Sequence, residues 1–111
     1  MAVILKNLIP AKVAENSQTT QYTASACKAI LDKFTVTNPT AGAVPFSCNL
    51  VPLAGSASAA NLIISAKSIA AGETYRCPEL VGQVLEQGGF ISTLAGSAAA
   101  LTIRCSGREI T

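Results

Sequence analysis

The run Ala29–Thr37, AILDKFTVT, passes through Asn38–Gly42, NPTAG, into Val44–Leu53, VPFSCNLVPL, and its reading decides the fold. In the second run Val44, Phe46, Cys48 and Leu50 recur at every second position. In the first, Ile30, Phe34 and Val36 are expected on one face, with Lys33, Thr35 and Thr37 on the other. A period of two is the signature of a half-buried strand rather than a helix. Between the runs Asn38 can initiate a turn, Pro39 fixes φ, and Gly42 accepts left-handed geometry. Asp32 breaks the apolar face of the first run, so it is expected near the strand's end or at a sheet edge, where its carboxylate stays wet.

The same pattern continues outward in both directions. TTQYTA at Thr19–Ala24 suits an earlier strand, and NLIISAKSI at Asn61–Ile69 a later one, with AGSASAA at Ala54–Ala60 as a surface loop between strands. Ala70-Ala71-Gly72 turns the chain into ETYRC at Glu73–Cys77. Pro78-Glu79 then opens one short helical turn, near residues 78–86, because proline is tolerated at a first helical position and an early acid suits the positive end. Phe90–Ala95 and Ala99–Ile110 read as a closing hairpin around Gly96-Ser97. The sum is an all-β fold: a single-domain β-sandwich, jelly-roll-like, with about seven or eight antiparallel strands over residues 18–111. The other glycines fall mostly at turns and read as punctuation.

Residues 1–17 stand outside that succession. MAVILKNLIP carries Val3, Ile4, Leu5, Leu8 and Ile9, which make it either an apolar arm or an edge strand. An apolar segment left exposed on a monomer is a liability, so these five residues form the candidate partner interface and favour a homo-oligomer. The opening lacks the basic n-region and cleavage site of a signal peptide. No stretch approaches the roughly 20 apolar residues of a membrane helix, so neither export nor a membrane partner is expected.

Composition bounds the chemistry. The 111-residue chain is 50% hydrophobic but 5% aromatic, so its core must be built from Ala, Val, Ile and Leu with few large side chains. Charged residues are 13% of the chain and the net charge is +2. The basic residues are scattered singly as Lys6, Lys12, Lys28, Lys33, Lys67, Arg76, Arg104 and Arg108, without the clusters of a nucleic-acid surface. There is no histidine, which excludes Ser-His-Asp and Cys-His arrangements. Acids are dispersed, and Cys27, Cys48, Cys77 and Cys105 are too widely spaced for a paired-thiolate metal motif. Cys48 and Cys105 lie on apolar alternations and are expected to be buried free thiols. No enzyme, cofactor or metal is expected from this inventory.

The order of motifs carries a resemblance. FTVTN (Phe34–Asn38), IAAGETYRCPELVGQVLEQGGFI (Ile69–Ile91) and AAALTIRCSGREI (Ala98–Ile110) together resemble a class of small bacteriophage virion proteins. In that class an A-G-E-T turn, a P-E-L-x-G-x-V-L-x-x-G segment and a final strand ending S-G-x-E each serve a β-sandwich. The size, free cysteines and lack of histidine are similar to the capsid decoration, or cement and staple, proteins of epsilon15-like short-tailed phages. The resemblance implies a jelly-roll-like homodimer, made in the host cytoplasm, on the capsid exterior of the virion, where it would bridge neighbouring major capsid protein subunits. The alternative it leaves open is a tail, head-fibre or receptor-binding module.

Overall fold

A computed structural model describes residues 2–111. Nine strand segments among the described residues are divided between two antiparallel sheets: β1 (Val3–Val13), β2 (Thr19–Thr23), β3 (Lys28–Thr37), β4 (Val44–Val51), β5 (Leu62–Ile69), β6 (Thr74–Tyr75), β7 (Val84–Leu85), β8 (Phe90–Ala95) and β9 (Thr102–Ile110). One sheet has the order β1-β9-β3-β6, with β7 also on β3, and the other the order β2-β8-β4-β5. Because β6 and β7 pair with opposite ends of β3, they act as one interrupted strand. The eight-stranded result is a jelly roll. A long ribbon pairs β1 with β9, β2 with β8, β3 with β6 and β7, and β4 with β5, then rolls so that successive pairs fall in opposite sheets.

The core lies between the sheets and follows from the composition. Its two large side chains, Phe34 of β3 and Phe46 of β4, meet across the sandwich with ring centroids 6.1 Å apart at 45°. Around them pack Leu31, Val36, Ile64, Ile69, Leu80, Ile91, Leu101 and Ile103, and the gaps are filled by small residues such as Ala24, Ala29 and Ala95. All four cysteines are buried and unpaired in this interior. Burial pushes the Cys77 and Cys105 thiols up to about 12, and it raises Cys48 as well. At neutral pH these sulfurs are protonated, poor nucleophiles that pack as small hydrophobes.

Four local expectations are corrected. Asp32 is not at the strand's end; it sits in the middle of β3, in the stretch left open between the β7 pairing at Ala29 and Ile30 and the β6 pairing at Val36 and Thr37, and its carboxylate is exposed as expected. Leu31 pairs with Gly107 and Lys33 with Ser106, so β3 takes two steps where β9 takes one, and the extra residue is a β-bulge. The bulge flips the alternation: Ala29 and Leu31 face the core before it, Phe34 and Val36 after it, and Ile30 is left half-buried. Arg108 clamps the displaced Asp32 carboxylate through Nε and Nη2 at 3.0 and 2.9 Å.

The expected helical turn near residues 78–86 is replaced by two hydrogen-bonded turns, in which Leu80 N donates to Cys77 O and Gln83 N to Leu80 O, followed by β7. Buried Leu80 and Leu85 hold that segment against the core instead of letting it wind. A single 3-10 turn does occur, at Ala59–Asn61, within the β4–β5 connection. Phe90–Ala95 and Ala99–Ile110 do not form a hairpin, because β8 and β9 belong to different sheets. Gly96 continues the β8–β4 pairing by donating to Pro45 O, and the chain then crosses the end of the sandwich, where Ala100 and Leu101 are buried.

Candidate interaction edge

The five residues expected to meet a partner all lie on β1, and the segment takes the form of an edge strand rather than a detached arm. β1 pairs antiparallel with β9 on one side and has no described strand on the other. The five are divided by a pair of register shifts. Val3, Ile4, Leu5 and Lys6 pair regularly with Ile110, Glu109, Arg108 and Gly107, after which the register slips between Lys6 and Ile9 and again between Ile9 and Lys12. In the slipped half Leu8 and Ile9 turn inward and are core residues, so they are unavailable to a partner. In the regular half Val3, Ile4 and Leu5 are 55%, 50% and 80% exposed.

The two halves of the edge differ physically. The slipped half carries Pro10, which lacks an N–H donor, and its irregular register twists the strand; both features discourage another strand from adding there. The half from Val3 to Lys6 is regular and free of proline, and it is apolar through Leu5. It therefore presents unpaired backbone groups beside exposed hydrocarbon, which is what strand addition uses.

The S-G-R-E sequence of β9 anchors this edge. Ser106 and Gly107 lie beside both the first β1–β9 register shift and the β3 bulge, Arg108 holds Asp32, and Glu109 reaches toward the other sheet. There the Tyr22 hydroxyl of β2 donates to the Glu109 carboxylate, tying the two sheets together, and Lys6 approaches the same carboxylate at 3.3 Å. The Tyr22 hydrogen bond, followed by the Lys6 contacts, holds the Glu109 carboxyl below its usual range, whereas burial raises the Tyr22 phenol. Tyr75 is also committed: its hydroxyl donates to Glu79, and the Lys67 ammonium lies 5.1 Å from its ring centroid.

The Glu109 latch makes a pH prediction. A carboxyl whose folded-state pKa is depressed contributes stability that is present above its unfolded value and lost as pH falls through the folded one. Tyr22→Phe removes the largest cause of the shift, at a cost of about 1.5–3 kcal/mol at pH 7 for a hydrogen bond to a charged group. The difference in urea-unfolding free energy between the two proteins should therefore shrink as the pH drops below the ordinary Glu value of 4.5. A difference that stays constant from pH 7 to pH 3 would show that Tyr22 does not act through Glu109.

Among the described residues no three His, Cys, Asp or Glu side chains converge as metal ligands, and no helix is long and apolar enough to cross a membrane. No protein family, curated protein or solved structure was found to match the chain.

Proposed function

We propose that this chain is a structural virion protein that binds the outside of an assembled phage capsid and staples neighbouring major capsid subunits. The observation that carries the reading is the regular, apolar half of β1. Among the free edges of this packed jelly roll, the run Val3 to Lys6 lies beside three exposed apolar side chains. Jelly rolls recur in viral shells, but a fold alone does not assign a function, so the weight rests on the edge. The resemblance of the motif order to small bacteriophage virion proteins, and of the size and free cysteines to phage decoration proteins, supplies the context. A protein that binds only the assembled shell stabilises it by mass action, and many copies bridging subunits multiply a modest affinity. Dimerisation would let one unit reach two capsid subunits at once.

The test separates docking from folding. Val3→Asp/Leu5→Asp changes two exposed side chains, so the variant should stay folded with an unchanged thermal midpoint. Burying an exposed Val or Leu is worth about 1.5 kcal/mol or more, roughly tenfold in affinity for each. In co-sedimentation with capsids stripped of this protein, the double variant should bind at least tenfold more weakly than wild type. Undiminished binding by the folded variant would remove β1 from the interface.

A further inference from the structure

A second feature lies on the outward face of the β1-containing sheet, on β3 and β9. Phe34 and Val36 of β3 and Ile103 and Cys105 of β9 face the core. The residues alternating with them, Lys33, Thr35, Arg104 and Ser106, line one concavity of about 210 Å³. Register fixes their arrangement: Lys33 lies opposite Ser106 and Thr35 opposite Arg104. The four form a two-by-two block, with the cations on one diagonal and the hydroxyls on the other.

The sheet treats its other charges differently. Lys6, Lys12, Lys28 and Arg108 each form an ion pair with a carboxylate, at 2.9–3.3 Å. Lys33 and Arg104 form none among the described residues, and the positions directly across from them hold hydroxyls instead of acids. Opposite charges across strands would stabilise the sheet, whereas two neighbouring cations without an acid repel. Arg104 is also pre-positioned, since its Nη2 donates to Asn7 Oδ1 at 2.7 Å, which leaves the rest of the guanidinium free.

We infer that Lys33, Thr35, Arg104 and Ser106 form a binding site for an oxyanion. An ammonium, a guanidinium and two hydroxyls supply convergent donors and two positive charges, the chemistry that recognises a phosphoryl or carboxylate group. The site does not depend on where the protein resides.

The experiment follows backbone amide chemical shifts in a nitrogen-labelled sample, titrated with sodium phosphate and, separately, with sodium acetate, ionic strength being held constant with sodium chloride. Saturable shifts should cluster at residues 33–35 and 104–106, and the apparent dissociation constant should weaken at least tenfold in Lys33→Gln/Arg104→Gln. Tighter binding of phosphate would assign a phosphoryl ligand, and tighter binding of acetate a carboxylate side chain. Should loss of the Arg104–Asn7 bond disturb the fold, Lys33→Gln alone changes an exposed residue and should still weaken binding. Shifts that grow without saturating, or that persist unchanged in the folded variants, would overturn the inference.

Discussion

Replacing Gly107 with valine is expected to remove about 3 kcal/mol of stability, a fall in Tm on the order of 10 °C. Gly107 lies within β9, not at a turn, and pairs with Lys6 on one side and Leu31 on the other. A Cβ built there would lie 2.0 Å from the Ile30 carbonyl oxygen and 2.9 Å from Leu8 Cδ1. The first contact is with backbone, so no rotamer change relieves it, and β3 would have to move away from β9 beside its bulge. The side-chain contact pushes on Leu8, which with Ile9 roots β1 in the core. Gly42→Ala is the control, because nothing lies within 4 Å of a Cβ at that position and its stability should hardly change. Equal midpoints for Gly107→Val and wild type in urea unfolding would show that the backbones are not this close.

Asn38→Asp is expected to cost about 3–5 kcal/mol at neutral pH although it changes no shape. Asn38 is completely buried at the end of β3, and every polar group it has is used. Its Nδ2 donates to Gly42 O at 2.8 Å and Ile69 O at 2.9 Å, while its Oδ1 accepts from Thr40 N and Thr40 Oγ1. Its backbone donates to Glu73 O and accepts from Gly72 N, so three chain segments meet on this one residue. An aspartate keeps the two acceptor contacts but replaces the NH2 group and its two donors with a single oxygen facing two carbonyl oxygens, and it places a charge where water does not reach. Burial raises the pKa of such a carboxyl, so the loss should be smaller at pH 4 than at pH 7, when protonation restores one donor. Urea-unfolding free energies at the two pH values check this, and a pH-independent loss would mean that the carboxylate reaches solvent.

The strand runs were legible because alternation is a local signal, and β2, β3, β4, β5 and β8 begin or end within a residue or two of where periodicity places them. Asn38 was legible as a turn initiator, though not as the hub of three segments, because its partners at Ile69, Gly72 and Glu73 are distant in sequence. The bulge at Asp32 was not legible, since one extra residue reverses inside and outside without changing composition; the acid on an apolar face was its trace. β8 and β9 are neighbours in sequence and looked like a hairpin, but pairing between sheets is decided by the rolled ribbon, not by the length of the connection.

The candidate edge was half legible. Val3, Ile4, Leu5, Leu8 and Ile9 read as one apolar segment, and only the register slips after Lys6 divide it into an exposed half and a core half. Gly107 carried a signal that reading the glycines as punctuation passed over: a glycine inside a strand pattern marks a bulge or a close backbone approach. Lys33 and Arg104, far apart among scattered cations in the sequence, become neighbours only through the β3–β9 register.

The stapling role is tested most directly by the copy number of this protein relative to the major capsid protein in purified virions of the phage that encodes it, measured by quantitative mass spectrometry. The account predicts a stoichiometry of the same order as the shell protein itself. A few copies per particle would contradict it and place the domain in a tail or fibre.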